Sequence, residues 1–230
     1  IHEEAFAAAL NGVKGATISL NARRGWGSPL ERSIFQSRID SEILSALIAT
    51  LEEAVPLFRS YLKKKAELLG LENLAFYDLF APVGKSAKRY SYEDAQAFIV
   101  EHFSRFSEAM GKFAQNAFEK NWIDPEPRKG KVGGAYDTSF PVAKESRILS
   151  NFDYTYSGVS TIAHELGHAY HDSKVMQRGG LLANYPMPLA ETASIFCEGL
   201  IFRGALEEAD EEERIALIEA FLQDSTQVCL

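Results

Sequence analysis

Apolar residues recur at three- and four-residue spacing along most of this chain, the period of helices with one buried face. Asp40 reads as a helix cap. Behind it Ile43, Leu44, Leu47, Ile48 and Leu51 keep the period, Pro56 predicts a break or restart, and the pattern runs on to Leu69, with Gly70 closing it. Ser91 and Asp94 have the spacing of a capping box. They precede one long stripe of Ala95, Phe98, Ile99, Phe103, Phe106, Met110, Phe113 and Ala117, with His102 beside it as a packed, hydrogen-bonded histidine. Ahead of both, residues 2–10 read as a short Ala-rich helix, and Gly12, Gly15, Gly25 and Gly27 predict irregular chain up to residue 38. A last helix is expected over residues 214–222, after an acidic turn that begins at Glu207.

The period changes between residues 121 and 156. Pro125 and Pro127 end the helical run, and the segment from Lys129 to Tyr136 is Gly-rich. It lacks the Gly-Lys-Ser/Thr ending of a phosphate loop, which argues against a nucleotide site. Residues 147–152 read as a short strand. The fold class that follows is mainly α.

One stretch carries chemistry. His164-Glu165-Leu166-Gly167-His168 is a His-Glu-x-x-His sequence inside a helical pattern of Val159, Ile162, Ala163, Leu166, Ala169 and Tyr170. Ser157 is the expected N-cap, and Gly179-Gly180 the stop. Four residues apart on a helix, His164 and His168 project from one face and can share one Zn²⁺, while Glu165 can reach a metal-bound water as general base. A catalytic zinc needs a third protein ligand. Position 171 is His and position 174 is Lys, so the Gly and His of the metzincin pattern are missing. His171 lies a turn beyond His168 and reads as a surface or supporting residue. A following helix from Pro188 is expected to carry a stripe of Leu189, Ala193, Phe196, Leu200 and Ile201, with Glu191, Ser194 and Glu198 on another face. Glu191 could be the third ligand, with Ser194 or Glu198 orienting a ligand histidine; it could equally be a surface carboxylate.

Composition narrows the partners. The 230 residues are 46% apolar, enough for a substantial core. The net charge of −8, with no basic cluster, makes nucleic acid and anionic membranes poor partners. No apolar run approaches the roughly 18 residues of a membrane span. Cys197 and Cys229 suggest no disulfide framework, so a reducing cytoplasm is expected, with Cys197 a small buried residue.

The sequence His-Glu-Leu-Gly-His-Ala-Tyr-His, followed by Leu-Ala-Glu-Thr-Ala-Ser and a later Glu, resembles the oligoendopeptidase F family, thimet-oligopeptidase-like zinc metallopeptidases that cut short peptides. The resemblance implies a zincin-type catalytic domain with a small β-sheet near the active site, and one Zn²⁺ per chain bound by His164, His168 and Glu191. It implies Glu165 as the base, and it matches the family's Glu-x-x-Ser-x-x-x-Glu spacing with Glu191, Ser194 and Glu198. In that family the sheet presents an edge to which peptide adds as a strand, and Gly133, Gly134, Ala135 and Tyr136 are the expected wall. Family members are much longer, so the chain is expected to be a fragment of one catalytic region, with about 1–121 a helical scaffold and about 122–230 the zinc-site core. The family's later substrate-binding residues have no counterpart here, which ties activity to the longer protein. The competing expectation is a non-catalytic peptide-binding or scaffold fragment with a vestigial or incomplete site.

Overall fold

The structure, a computed structural model, describes residues 2–84 and 88–229. Among these residues the chain forms eight α-helices and one three-stranded sheet, the mainly α class that the periodicity predicts. It divides into two compact units, Ile1–Ala54 and Val55–Leu230.

The first unit holds α1 (Glu3–Arg23), α2 (Pro29–Ser37) and the start of α3 (Ser41–Leu69). Helix α1 continues straight through Gly12 and Gly15, correcting the expectation that it ends near residue 10. Each glycine costs roughly 1 kcal/mol against alanine, and the alanines around them absorb that cost. Helix α2 replaces chain expected to be irregular. Ser28 caps it, its Oγ accepting the Glu31 N–H at 3.0 Å, and Pro29 stands at the first position, where no N–H is needed. The Trp26 and Phe35 rings close the loop before it, 5.2 Å apart. Asp40 caps α3 as expected, accepting the Ile43 N–H at 2.8 Å, but the helix runs through Pro56 without a break.

The second unit is built on α4 (Tyr92–Phe106), α5 (Glu108–Glu119), α6 (Tyr156–Val175), α7 (Thr192–Glu208) and α8 (Glu211–Cys229). The capping box forms as predicted: Ser91 Oγ accepts the Asp94 N–H at 3.0 Å, and Asp94 accepts the Ser91 N–H at 3.1 Å. The single stripe expected behind it is two helices. Ser107 is extended and separates them, so α4 packs on α5, α6 and α7, and α5 packs on α6. His102 is buried against Phe98, with ring centroids 4.3 Å apart. Its Nε2 lies 3.7 Å from Glu208 and has no hydrogen bond, contrary to the expected hydrogen-bonded histidine.

The sheet comprises β1 (Ile123–Asp124), β2 (Tyr136–Phe140) and β3 (Glu145–Leu149), in the order β1-β3-β2. The expected strand at 147–152 therefore begins and ends earlier. Strands β2 and β3 are antiparallel, with Asp137 opposite Ile148, and β1 runs parallel to β3. One edge of β2 is thus left unpaired in the sheet, and both β2 and β3 pack on α6. Phe103, Ile148, Val159, Ile162, Leu166 and Ile201 sit at the centre of the core, almost fully buried.

Candidate metal centre

Helix α6 starts at Thr155, whose Oγ1 accepts the Gly158 N–H at 3.3 Å; the expected cap, Ser157, lies inside the helix. Its buried face is Gly158, Val159, Ile162, Ala163, Leu166, Gly167 and Ala169. Packing of that face fixes the rotation of the helix, which leaves His164 and His168 half-buried at its margin. The helix gives way at Val175 to a 3₁₀ turn, and Gly179 reverses the chain at φ +85°, as its glycine predicts.

The chain returns by two further 3₁₀ turns, Gly180–Leu182 and Met187–Leu189, with extended backbone at Pro186 between them. Pro186 and Pro188 favour that turn over helix, so α7 begins only at Thr192 and Glu191 is its N-cap residue. The expected apolar stripe shifts accordingly: Ser194, Cys197, Ile201, Gly204 and Ala205 are buried, while Leu189 and Phe196 are exposed.

Across α6 and α7 three ligand atoms converge. His164 Nε2 lies 3.1 Å from His168 Nε2, and Glu191 Oε2 lies 3.2 Å from the first and 3.1 Å from the second. Four ligands about 2.0–2.1 Å from a tetrahedral zinc stand roughly 3.3 Å apart, so these atoms already occupy three corners of such an arrangement. Two imidazoles and a carboxylate are also the donor types that zinc takes in catalytic sites. Among the described residues this trio is the group able to hold a metal ion.

Hydrogen bonds orient the trio. His164 Nδ1 bonds the Glu198 carboxylate, which keeps a proton on that nitrogen and leaves the Nε2 lone pair facing His168 and Glu191. Ser194 Oγ donates to Glu191 Oε2 at 2.7 Å. Burial depresses the His164 pKa, but the Glu198 bond and the surrounding carboxylates outweigh it, and the net shift is upward. For His168 burial prevails and the pKa falls. Burial raises Glu191, and the Ser194 hydroxyl and the two histidines more than reverse this. His171 stays apart from the group: its ring lies over Tyr185, centroids 4.5 Å apart.

Glu165 is buried beside the trio, and burial pushes its carboxyl upward against the pull of His164. Gly134, Ala135, His164, Glu165 and Glu198 line one cleft of about 680 Å³. Gly133 and Gly134 bend the chain before β2, and Asn151 Nδ2 donates to the Val132 and Gly134 carbonyls at 2.9 Å each. Of the four expected wall residues, Tyr136 alone belongs to the strand.

Asp137 escaped the sequence reading. On β2 it faces inward, accepts the Ser146 hydroxyl at 3.3 Å, and keeps Oδ1 buried without a hydrogen bond. Burial, with Asp172 and Glu165 nearby, drives its pKa up to about 7. The two-residue alternation of β2 was the available signal.

Fold and site together define a mainly helical chain whose His-Glu-x-x-His helix and a carboxylate from the next helix bring three potential metal ligands together. The family model described as Peptidase family M3 matches residues 20–228, and the chain belongs to that family. Oligoendopeptidase F (plasmid) from Lactococcus lactis subsp. cremoris is 28% identical over 212 residues, covering 89% of this chain and 34% of the relative. Oligopeptidase PepF from Bacillus subtilis is 27% identical over 199 residues, covering 85% and 30%. A crystal structure of a candidate peptidase from Chlamydophila abortus superposes with a TM-score of 0.79 at 27% identity, over 97% of this chain and 38% of that one. PZ peptidase A with inhibitor 2 shares the fold, with a TM-score of 0.76 at 19% identity, over 97% of this chain and 42% of its own. The chain spans about a third of the length of the curated relatives it matches.

Proposed function

We propose that this chain is the metal-holding part of a longer zinc metalloendopeptidase that hydrolyses short oligopeptides. The convergence of His164 Nε2, His168 Nε2 and Glu191 Oε2 carries the reading. Bound by these three residues, Zn²⁺ supplies Lewis acidity, lowering the pKa of a water toward neutrality and polarising a carbonyl.

Glu165 takes the proton of the attacking water as the water adds to the peptide carbonyl, then passes it to the departing amine. Its burial supports this role, because a carboxylate with a raised pKa is a stronger base for the first transfer and a usable acid for the second. Glu198 and Ser194 orient His164 and Glu191. Gly133, Gly134, Ala135 and Tyr136 form the substrate wall, where the free edge of β2 can pair with an extended peptide and the two glycines just before the strand admit a close main chain. The two free cysteines, one of them buried, fit a reducing cytoplasm.

Glu165→Gln in the longer protein tests the assignment. Zinc content should be retained, while kcat on a quenched oligopeptide falls by at least about 100-fold. Near-normal cleavage by the zinc-loaded variant would remove Glu165 from the mechanism.

A further inference from the structure

We infer that Gly167, inside the motif but between its histidines, is a positioning residue for the Glu191 ligand: its missing side chain sets how closely α7 approaches α6. This rests on the reading of His164, His168 and Glu191 as zinc ligands.

A Cβ built on Gly167 would lie 2.7 Å from Ser194 Cα, 2.8 Å from the Ala193 carbonyl oxygen and 3.0 Å from Ser194 N. All three are backbone atoms of the first turn of α7, so no side chain can swing aside. Gly12 and Gly15 in α1 meet nothing within 4 Å, and the other crowded helical glycines, Gly111, Gly158 and Gly204, face Ser104, Phe152 with Asp153, and His102; Gly167 is set against the backbone that directly follows Glu191. A glycine also weakens a helix interior relative to alanine, and α6 carries this one at its most crowded crossing.

The contact leads directly to the ligand. Gly167 abuts the Ser194 backbone, the Ser194 hydroxyl bonds Glu191 Oε2 at 2.7 Å, and that same oxygen stands 3.1–3.2 Å from both histidine nitrogens. Ordinary contact begins near 3.4 Å, so an alanine at 167 forces the start of α7 back by roughly 0.7 Å, more than the ~0.5 Å within which a metal site must be held. The histidines share α6 and keep their mutual spacing; Glu191 is the ligand that moves.

The test is zinc affinity by chelator competition on the purified chain, alongside the melting temperature of the metal-free protein. Gly167→Ala is expected to weaken zinc binding at least about tenfold. Gly111→Ala, whose Cβ would strike Ser104 between α4 and α5, is the control for crowding alone: it lowers the melting temperature and leaves zinc affinity within about twofold. In a Glu191→Ala background, Gly167→Ala should add less than about threefold, because the ligand it positions is gone. A full loss in that background overturns the inference, since the histidines themselves would then be disturbed. If Glu191→Ala weakens zinc but Gly167→Ala does not, the inference fails and the zinc reading stands; a folded wild type without zinc affinity removes both. If Gly167→Ala does not fold, Ser194→Ala decides: it adds no bulk, and unchanged zinc affinity cuts the line of contacts and overturns the inference.

Discussion

Removing the Glu198 carboxylate should weaken zinc binding without unfolding the protein. Glu198 bonds His164 Nδ1 and does two things there: it keeps the proton on the nitrogen facing away from the other ligands, and it raises the basicity of the ring. Losing such an outer partner typically costs 10–100-fold in metal affinity, about 1.4–2.7 kcal/mol. The Glu198 side chain is 37% exposed, so water screens its charge and the lower end of that range applies, near tenfold for Glu198→Ala. Glu198→Gln keeps an oxygen that can accept the Nδ1 proton and loses only the charge, so it should lose less than the alanine variant. Because Glu198 stands at the edge of the core, the metal-free melting temperature should shift little in either variant. Competition with a chromophoric chelator measures the affinity. Zinc binding by Glu198→Ala within twofold of wild type would refute the role of this bond.

Lys65 is almost fully buried, its Nζ bonded to Glu219 at 2.6 Å, Gln223 at 2.9 Å and the Leu79 carbonyl at 2.8 Å, while Tyr61 donates to the same Glu219 oxygen at 2.7 Å. Lys65→Met strands the Glu219 carboxylate and should cost roughly 3–5 kcal/mol in urea unfolding, much of it recovered in Lys65→Met/Glu219→Leu; a single variant as stable as wild type would contradict this. Asp137 yields a pH prediction. Its pKa rises from 3.8 to about 7 on folding, so between these values the folded protein keeps a proton that the unfolded chain releases, and stability falls as pH rises through that window. Melting temperatures from pH 4 to 8 should therefore fall more steeply in wild type than in Asp137→Asn, and parallel curves would show that the carboxyl titrates normally.

The parts of the molecule that were legible in sequence share a local cause. The Ser91–Asp94 box, the Asp40 cap and the His164–His168 pair depend on contacts three or four residues apart, which spacing encodes directly. The glycine stop after α6 is local as well. Misreadings arose where a local signal competed with its surroundings. Gly12, Gly15 and Pro56 each weaken a helix, yet long runs of good helix formers carry the chain through them. The Ser28-Pro29 start of α2 follows the same capping logic, against which the surrounding glycines argue for irregular chain. The break at Ser107 is tertiary: α5 must fold back so that Gly111 can meet Ser104, and the apolar stripe is continuous across the break. Spacing placed Glu191, Ser194 and Glu198 on one surface, but the rotation of α7 is set by packing at Gly167 and Gly204, which periodicity does not show. The alternation of β2 could have turned Asp137 inward, but its environment comes from β3 and α6 rather than from its neighbours in sequence.

Zinc stoichiometry of the purified, dialysed chain, set beside its Glu191→Ala variant with folding verified by circular dichroism, tests the central claim most directly. The predicted result is about one zinc per wild-type chain and markedly weaker retention in the variant. A folded wild-type chain that retains no zinc, or a variant that holds it equally well, would contradict the assignment of His164, His168 and Glu191 as the metal site.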